Sequence, residues 1–145
     1  MTVKNIKQKR LKILMADDEA YVLEIMAKKV REAGYDVVIA ADGEEALAKI
    51  WSDDPDIIIL DLTMPKKDGL TVLKELRASP PTGKWYPVII VSARNELDDM
   101  KQGFSLEADH YITKPCNIND ILKAIKLMVN LIPQRKSKEE GEKEQ

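Results

Sequence analysis

Cysteine is almost missing. Cys116 is the only one in 145 residues, which excludes an internal disulfide and a multi-cysteine zinc site. A small apolar residue beside a core is the plainer reading of that thiol. An excess of one charge is missing as well: 23 Lys and Arg stand against 25 Asp and Glu, a net of −2, so no basic surplus points to nucleic acid. No apolar run approaches the ~20 residues of a membrane span, and the Lys-rich start lacks the apolar core of a signal peptide. A soluble, cytoplasmic protein with no membrane contact is expected. The length suits one domain whose core needs no staple.

What is present starts with Ile57-Ile58-Ile59-Leu60-Asp61. Four branched apolar residues in a row predict a strand buried on both faces, as in a parallel sheet. The run ends on Asp61, followed by Pro65 and an Asp68-Gly69 turn, so a carboxylate is delivered to the rim of the sheet. Alone, Asp61 reads first as an ordinary turn or cap aspartate, the usual fate of an Asp after a strand.

Residues 1–10, with Lys4, Lys7, Lys9 and Arg10, predict a flexible arm. A first strand over 11–16 ends in Asp17-Asp18-Glu19, and Val22, Ile25, Met26, Val30 and Ala33 then mark an amphipathic helix closed by Gly34. A second strand, 36–41, leads to a helix with Asp42 as N-cap and Glu45 as its reciprocal partner; Ala46, Leu47 and Ile50 form its buried face. After the third strand, Leu70, Leu73 and Leu76 mark a helix that stops before Pro80-Pro81, and 79–86 is a loop. A fourth strand over 87–91 ends in Ser92. A helix over roughly 96–106 is weakened by Asp98, Asp99 and Gly103. A fifth strand, 108–113, ends in Lys114-Pro115. The last helix is capped by Asn117 and carries Ile118, Ile121, Leu122, Ile125, Met128, Val129 and Ile132 on one face up to Pro133. Residues 11–133 thus form the domain, and 134–145 a disordered charged tail or the start of a linker.

Five strands alternating with five helices imply a flavodoxin-like (βα)5 three-layer α/β sandwich with parallel order 2-1-3-4-5. Its order reverses between strands 1 and 3, and ligands bind beyond the carboxyl ends at such a reversal. Asp17, Asp18 and Glu19 follow strand 1, Asp61 follows strand 3, Ser92 ends strand 4 and Lys114 follows strand 5, so all are expected at one rim. Carboxylates ~4 Å apart repel by roughly 4 kcal/mol at an effective dielectric of 20, so the group should bind a proton or a cation. Oxygen-only ligands favour Mg2+, with Mn2+ as a substitute. A divalent ion, a lysine and a hydroxyl around one carboxylate make a cradle for a phosphoryl group, which Asp61 can accept as an acyl phosphate.

The residues Asp17-Asp18, the string Asp61-Leu62-Thr63-Met64-Pro65-Lys66-Lys67-Asp68-Gly69, Ser92-Ala93 and Tyr111-Ile112-Thr113-Lys114-Pro115, in this order and spacing, resemble the response-regulator receiver domain over about residues 11–132. The resemblance implies that Asp61 takes a phosphoryl group from a phosphohistidine on a histidine kinase or histidine phosphotransfer protein. It implies that Asp18, Asp61 and the Thr63 backbone carbonyl bind Mg2+ directly while Asp17 acts mostly through water, and that Ser92 and Lys114 contact the phosphoryl oxygens. It implies a cis Lys114–Pro115 bond. It further implies that Ser92 and Tyr111 form a switch to the face made by the fourth helix, fifth strand and last helix, where a downstream effector docks. Such a protein modifies its own aspartate and is not a turnover enzyme on external substrates.

Some positions depart from the family pattern. Glu107 stands where Gly is usual after the fourth helix, at a cost of roughly 1–2 kcal/mol for a left-handed conformation. Cys116 stands where a large apolar residue is common, so looser packing of the last helix is expected. Thr63 and Arg94 occupy variable positions that tune acyl-phosphate lifetime in the family. His110, the sole histidine, is expected as a solvated neighbour of Tyr111, so the phosphoryl donor belongs to another protein. Three other readings stand beside this one. An interaction module that is never phosphorylated would not need all five polar positions. A phosphohydrolase of the haloacid-dehalogenase type needs a second Asp where Thr63 stands. A flavin carrier needs a Gly-, Ser- or Thr-rich loop after strand 1. The chain is expected either to act alone through a partner or to be part of a longer protein.

Overall fold

The computed structural model describes residues 10–93, 101, 105 and 108–144. Its centre is a parallel five-stranded sheet in the order β2-β1-β3-β4-β5, formed by β1 (Lys12–Ala16), β2 (Asp36–Ala40), β3 (Ile57–Leu60), β4 (Val88–Ser92) and β5 (His110–Thr113). The all-apolar β3 is central because its alternate side chains enter two different cores. Ile58 and Leu60 join Leu14 and Ile90 under α2 (Gly43–Asp53) and α3 (Gly69–Ala78), whereas Ile57 and Ile59 join Met15 and Val91 under α1 (Ala20–Glu32) and the last helix (Ile118–Glu144). Each fully buried Ile contributes roughly 1.5–3 kcal/mol of transfer free energy. The outer strands β2 and β5 are only half-buried along most of their length, as befits sheet edges with one neighbour each.

Local signals set the helix ends. The Asp42 carboxylate accepts from Glu45 N at 2.8 Å, while the Glu45 carboxylate reaches past the cap to Ala41 N at 3.2 Å, one residue beyond its expected partner. Both carboxyls are held below their ordinary range, Asp42 first by that N–H and Glu45 first by its hydrogen bond to Lys49. Gly34, at φ +108°, closes α1 in a backbone conformation that favours glycine. The Asp68-Gly69 turn expected after β3 is instead a helix start. Asp68 is extended and accepts from Thr71 N at 2.8 Å, which makes it the N-cap of α3.

Other expectations need correction. The last helix does not stop at Pro133 before a disordered tail; its backbone stays helical to Glu144. Residues 134–140 are Gln, Arg, Lys, Ser, Lys, Glu and Glu, mostly good helix formers, which carry the helix past the proline. The loop between α3 and β4 contains a 3₁₀ turn, Pro81–Gly83, and a fully buried Tyr86. His110 is half-buried in β5 rather than solvated, because strand alternation turns it away from Tyr111 toward the sheet's other face. Within the helix expected over 96–106, Lys101 and Ser105 are helical. Its remaining residues, Arg94, Glu107 and the arm over 1–9 lie outside the described residues.

Candidate functional site

Three site residues are placed in the same way: each directly follows its strand and is still tied to a neighbouring one. Asp17 N donates to the Ala40 carbonyl at 3.1 Å, Asp61 N to the Ala16 carbonyl at 3.0 Å, and Lys114 N to the Ser92 carbonyl at 2.8 Å. Their side chains therefore leave the sheet at one edge, on both sides of the reversal between β1 and β3. Gly69 closes the Asp61 position from behind, since a Cβ there would collide with the Asp61 carbonyl oxygen.

The carboxylates of Asp17 and Asp61 are fixed by one device. Glu19 N donates to Asp17 Oδ1 at 2.9 Å, and Thr63 N donates to Asp61 Oδ1 at 3.0 Å. Each is an Asx-type bond to the second residue onward, and each leaves Oδ2 facing the pocket. Lys114 Nζ donates to both of those atoms, at 2.7 Å to Asp17 and 3.0 Å to Asp61. Asp18 completes the group: ligand oxygens of Asp17, Asp18 and Asp61 lie within 4.8 Å of one another. Asp61 is only 6 % exposed and Ser92 fully buried, while Asp18 faces solvent. Glu19 donates its backbone N–H to Asp17 and is not among the carboxylates grouped closely enough to hold a metal ion. Tyr111 is half-buried against the core under α2 and α3, and Lys114–Pro115 is cis.

Burial disfavours the Lys114 ammonium, but its hydrogen bonds and charge interactions with Asp17 and Asp61 outweigh that and hold it well above the ordinary lysine range. Three carboxylates are nevertheless grouped together, and the one ammonium pairs with two of them. The donor set fits Mg2+: it consists of oxygen atoms alone, the lysine shows that a cation is held between two of the carboxylates, and exposed Asp18 leaves a way in. The structure thus brings Asp17, Asp18, Asp61 and Lys114 together, with Ser92 at the end of the strand beside β3. Sequence reasoning missed Gly69 as a supporting residue; its place directly after the capping Asp68 was the available signal.

Comparison with known proteins agrees with this geometry. The family model described as response regulator receiver domain matches residues 13–126. The alkaline phosphatase synthesis transcriptional regulatory protein PhoP of Bacillus subtilis (strain 168) is 37% identical over 118 residues, covering 81% of this chain and 48% of that protein. The probable transcriptional regulator ycf27 of Porphyridium aerugineum is 37% identical over 126 residues, covering 87% of this chain and 51% of that protein. The chain therefore spans about half the length of these relatives. Among solved structures, the CheY-like receiver domain protein from Methanospirillum hungatei JF-1 superposes with a TM-score of 0.78 at 29% identity, over 89% of this chain and 99% of that one. The receiver domain of Francisella response regulator 1452 gives 0.76 at 34% identity, over 82% and 96%. Receiver domains work between histidine kinases or histidine phosphotransfer proteins and downstream effectors. The chain belongs to the response-regulator receiver domain family of two-component and phosphorelay signalling: a phosphoacceptor that acts on itself, whose aspartate cluster fits Mg2+-dependent phosphorylation of an aspartate.

Proposed function

We propose that Asp61 is the phosphoacceptor. The observation that carries this is Lys114 Nζ shared between Asp17 and Asp61, residues 97 and 53 positions away in the chain; it holds an ammonium against the Asp61 carboxylate, where it can turn to an oxygen of a phosphoryl group added there. An Asp61 carboxylate oxygen attacks the phosphorus of a partner's phosphohistidine. The new P–O bond forms as the P–N bond breaks, and the imidazole nitrogen leaves with the electron pair. Lys114 then exchanges a carboxylate for a phosphoryl oxygen, and the Ser92 hydroxyl turns to a second one. Asp17, Asp18, Asp61 and the Thr63 backbone carbonyl are the groups that would hold Mg2+, which when bound neutralises charge on the phosphoryl oxygens.

The partner is a histidine kinase or histidine phosphotransfer protein in the cytoplasm. No helix among the described residues is long and apolar enough to cross a membrane, which suits this. The signal leaves through Ser92 and Tyr111, whose movement shifts a two-state equilibrium on the face formed by the segment before β5, β5 itself and the last helix. An effector docks there, either as a separate protein or as a further part of a longer chain, and residues 11–133 are the unit that switches. The near-neutral charge gives this segment no direct role on nucleic acid. The test is incubation with acetyl phosphate and Mg2+ followed by intact mass: wild type gains one phosphoryl group and Asp61→Asn gains none. Uptake by the variant equal to wild type would remove Asp61 from this role. Mg2+ titration should move the amide signals of Asp17, Asp18, Asp61 and Thr63, and shifts centred elsewhere would overturn the ligand set.

A further inference from the structure

A cleft of about 410 Å³ opens from the acid pocket and runs inward between α1 and the start of the last helix. Its floor is the sheet face that carries Met15, Ile59 and Val91, and its walls include Val22 and Met26 of α1 and Ile121 of the last helix. Cys116 completes the wall where the chain turns from the cis bond into that helix. Its side chain is too short to fill the space. Burial, followed by the charge of Asp120, pushes the Cys116 thiol above its ordinary value, so this wall stays neutral at pH 7. The volume lies within the ~300–1,000 Å³ range of small-molecule sites, which are mostly apolar with a few polar groups at one end.

The polar end has a definite sign. Asp17, Glu19 and Asp61 line the mouth, and Lys114 is the one cation among the lining residues. An anionic ligand would meet a surplus of carboxylates, and a neutral one would leave that surplus unanswered. We propose that the cleft binds a small hydrophobic amine, its apolar body between α1 and the last helix and its ammonium at the carboxylates of Asp17, Glu19 and Asp61. Two of these three are also in the Mg2+ donor set, so amine and metal exclude one another and a bound amine keeps the switch unloaded. Binding of the amine itself does not depend on Asp61 being the phosphoacceptor.

The experiment uses the full chain with phenethylamine as probe and 2-phenylethanol as its neutral counterpart. Titration calorimetry should give an amine affinity higher than that of the alcohol by about tenfold or more, and the Met15 and Met26 methyl signals should shift. At ten times its own dissociation constant the amine should raise the apparent Mg2+ dissociation constant by about tenfold. Cys116→Phe, which fills the cleft, should weaken the amine by about tenfold or more while Mg2+ affinity holds. Because that variant could misfold, wild-type Cys116 labelling by N-ethylmaleimide is measured too, and should slow when the amine is bound. Equal affinity for amine and alcohol, an Mg2+ affinity unmoved at saturating amine, or unprotected Cys116 would each overturn the proposal.

Discussion

The two ends of the sheet use the same residue types to opposite effect. At the amino end, Arg77 donates to Asp109 at 3.1 Å and to the Tyr86 carbonyl at 2.6 Å, and Asp109 also accepts from Val88 N at 2.8 Å. The Tyr86 hydroxyl donates to Asp54 at 2.6 Å, while Lys84 pairs with Asp54 at 3.0 Å and lies over the Tyr86 ring. Two acids meet two bases, and each has a fixed partner. At the carboxyl end three carboxylates, Asp17, Asp18 and Asp61, are grouped together while one ammonium, Lys114, pairs with two of them, Asp17 and Asp61. Balanced charge locks the loop between α3 and β4 to the start of β5; unbalanced charge makes a site that fits a cation. Partly buried ion pairs thus serve either stability or chemistry, and the count of charges on each side decides which.

That contrast can be broken from the amino end first. Asp109→Ala leaves the Arg77 guanidinium and Val88 N–H without this partner, and because the Arg77 and Asp109 side chains are only 13% and 10% exposed the variant should lose about 3–5 kcal/mol in urea unfolding. Gly69→Ala comes next. Its Cβ pushes on the Asp61 carbonyl, which should cost about 1–3 kcal/mol and slow phosphoryl uptake, read by intact mass over time. Asp17→Asn should change stability by less than about 1 kcal/mol, since relief of repulsion offsets the weaker hold on Lys114, yet weaken Mg2+ binding by about tenfold or more. If Asp17→Asn destabilised the fold as much as Asp109→Ala, the two ends would not differ in kind.

The smallest effect belongs to α2, away from both ends. The Asp42 carboxyl titrates below its ordinary value of 3.8 in the folded state, so its stabilising contribution is complete above that value and is lost as pH falls through the lower folded one. Asp42→Ala should therefore lower the melting midpoint at pH 7, and the gap to wild type should close in acid. A gap that widened below pH 3.8 would contradict the capping role.

Several features were legible from local pattern. The all-apolar β3, the Asp42 cap and the Leu70-Leu73-Leu76 stripe each depend on residues a few positions apart, and the strand order followed from how such units can pack. Asp68 was misjudged as part of a turn because the same Asp-Gly pair suits a turn or a helix start, and the choice rests on how closely Gly69 must approach Asp61. Tyr86 does lie in the loop expected over 79–86, but its burial was not legible because nothing near it in sequence announces Asp54, 32 residues away.

By itself the sequence determined which groups would stand at strand ends, because side-chain periodicity and capping act within a single turn or strand. Only the tertiary structure decided that Lys114 grips Asp17 and Asp61 together, that Arg77 and Asp109 lock the far end, and that a cleft opens beside Cys116. Those outcomes come from distances between segments far apart in the chain, and such distances are set by packing of the whole sheet and its helices rather than by any local preference.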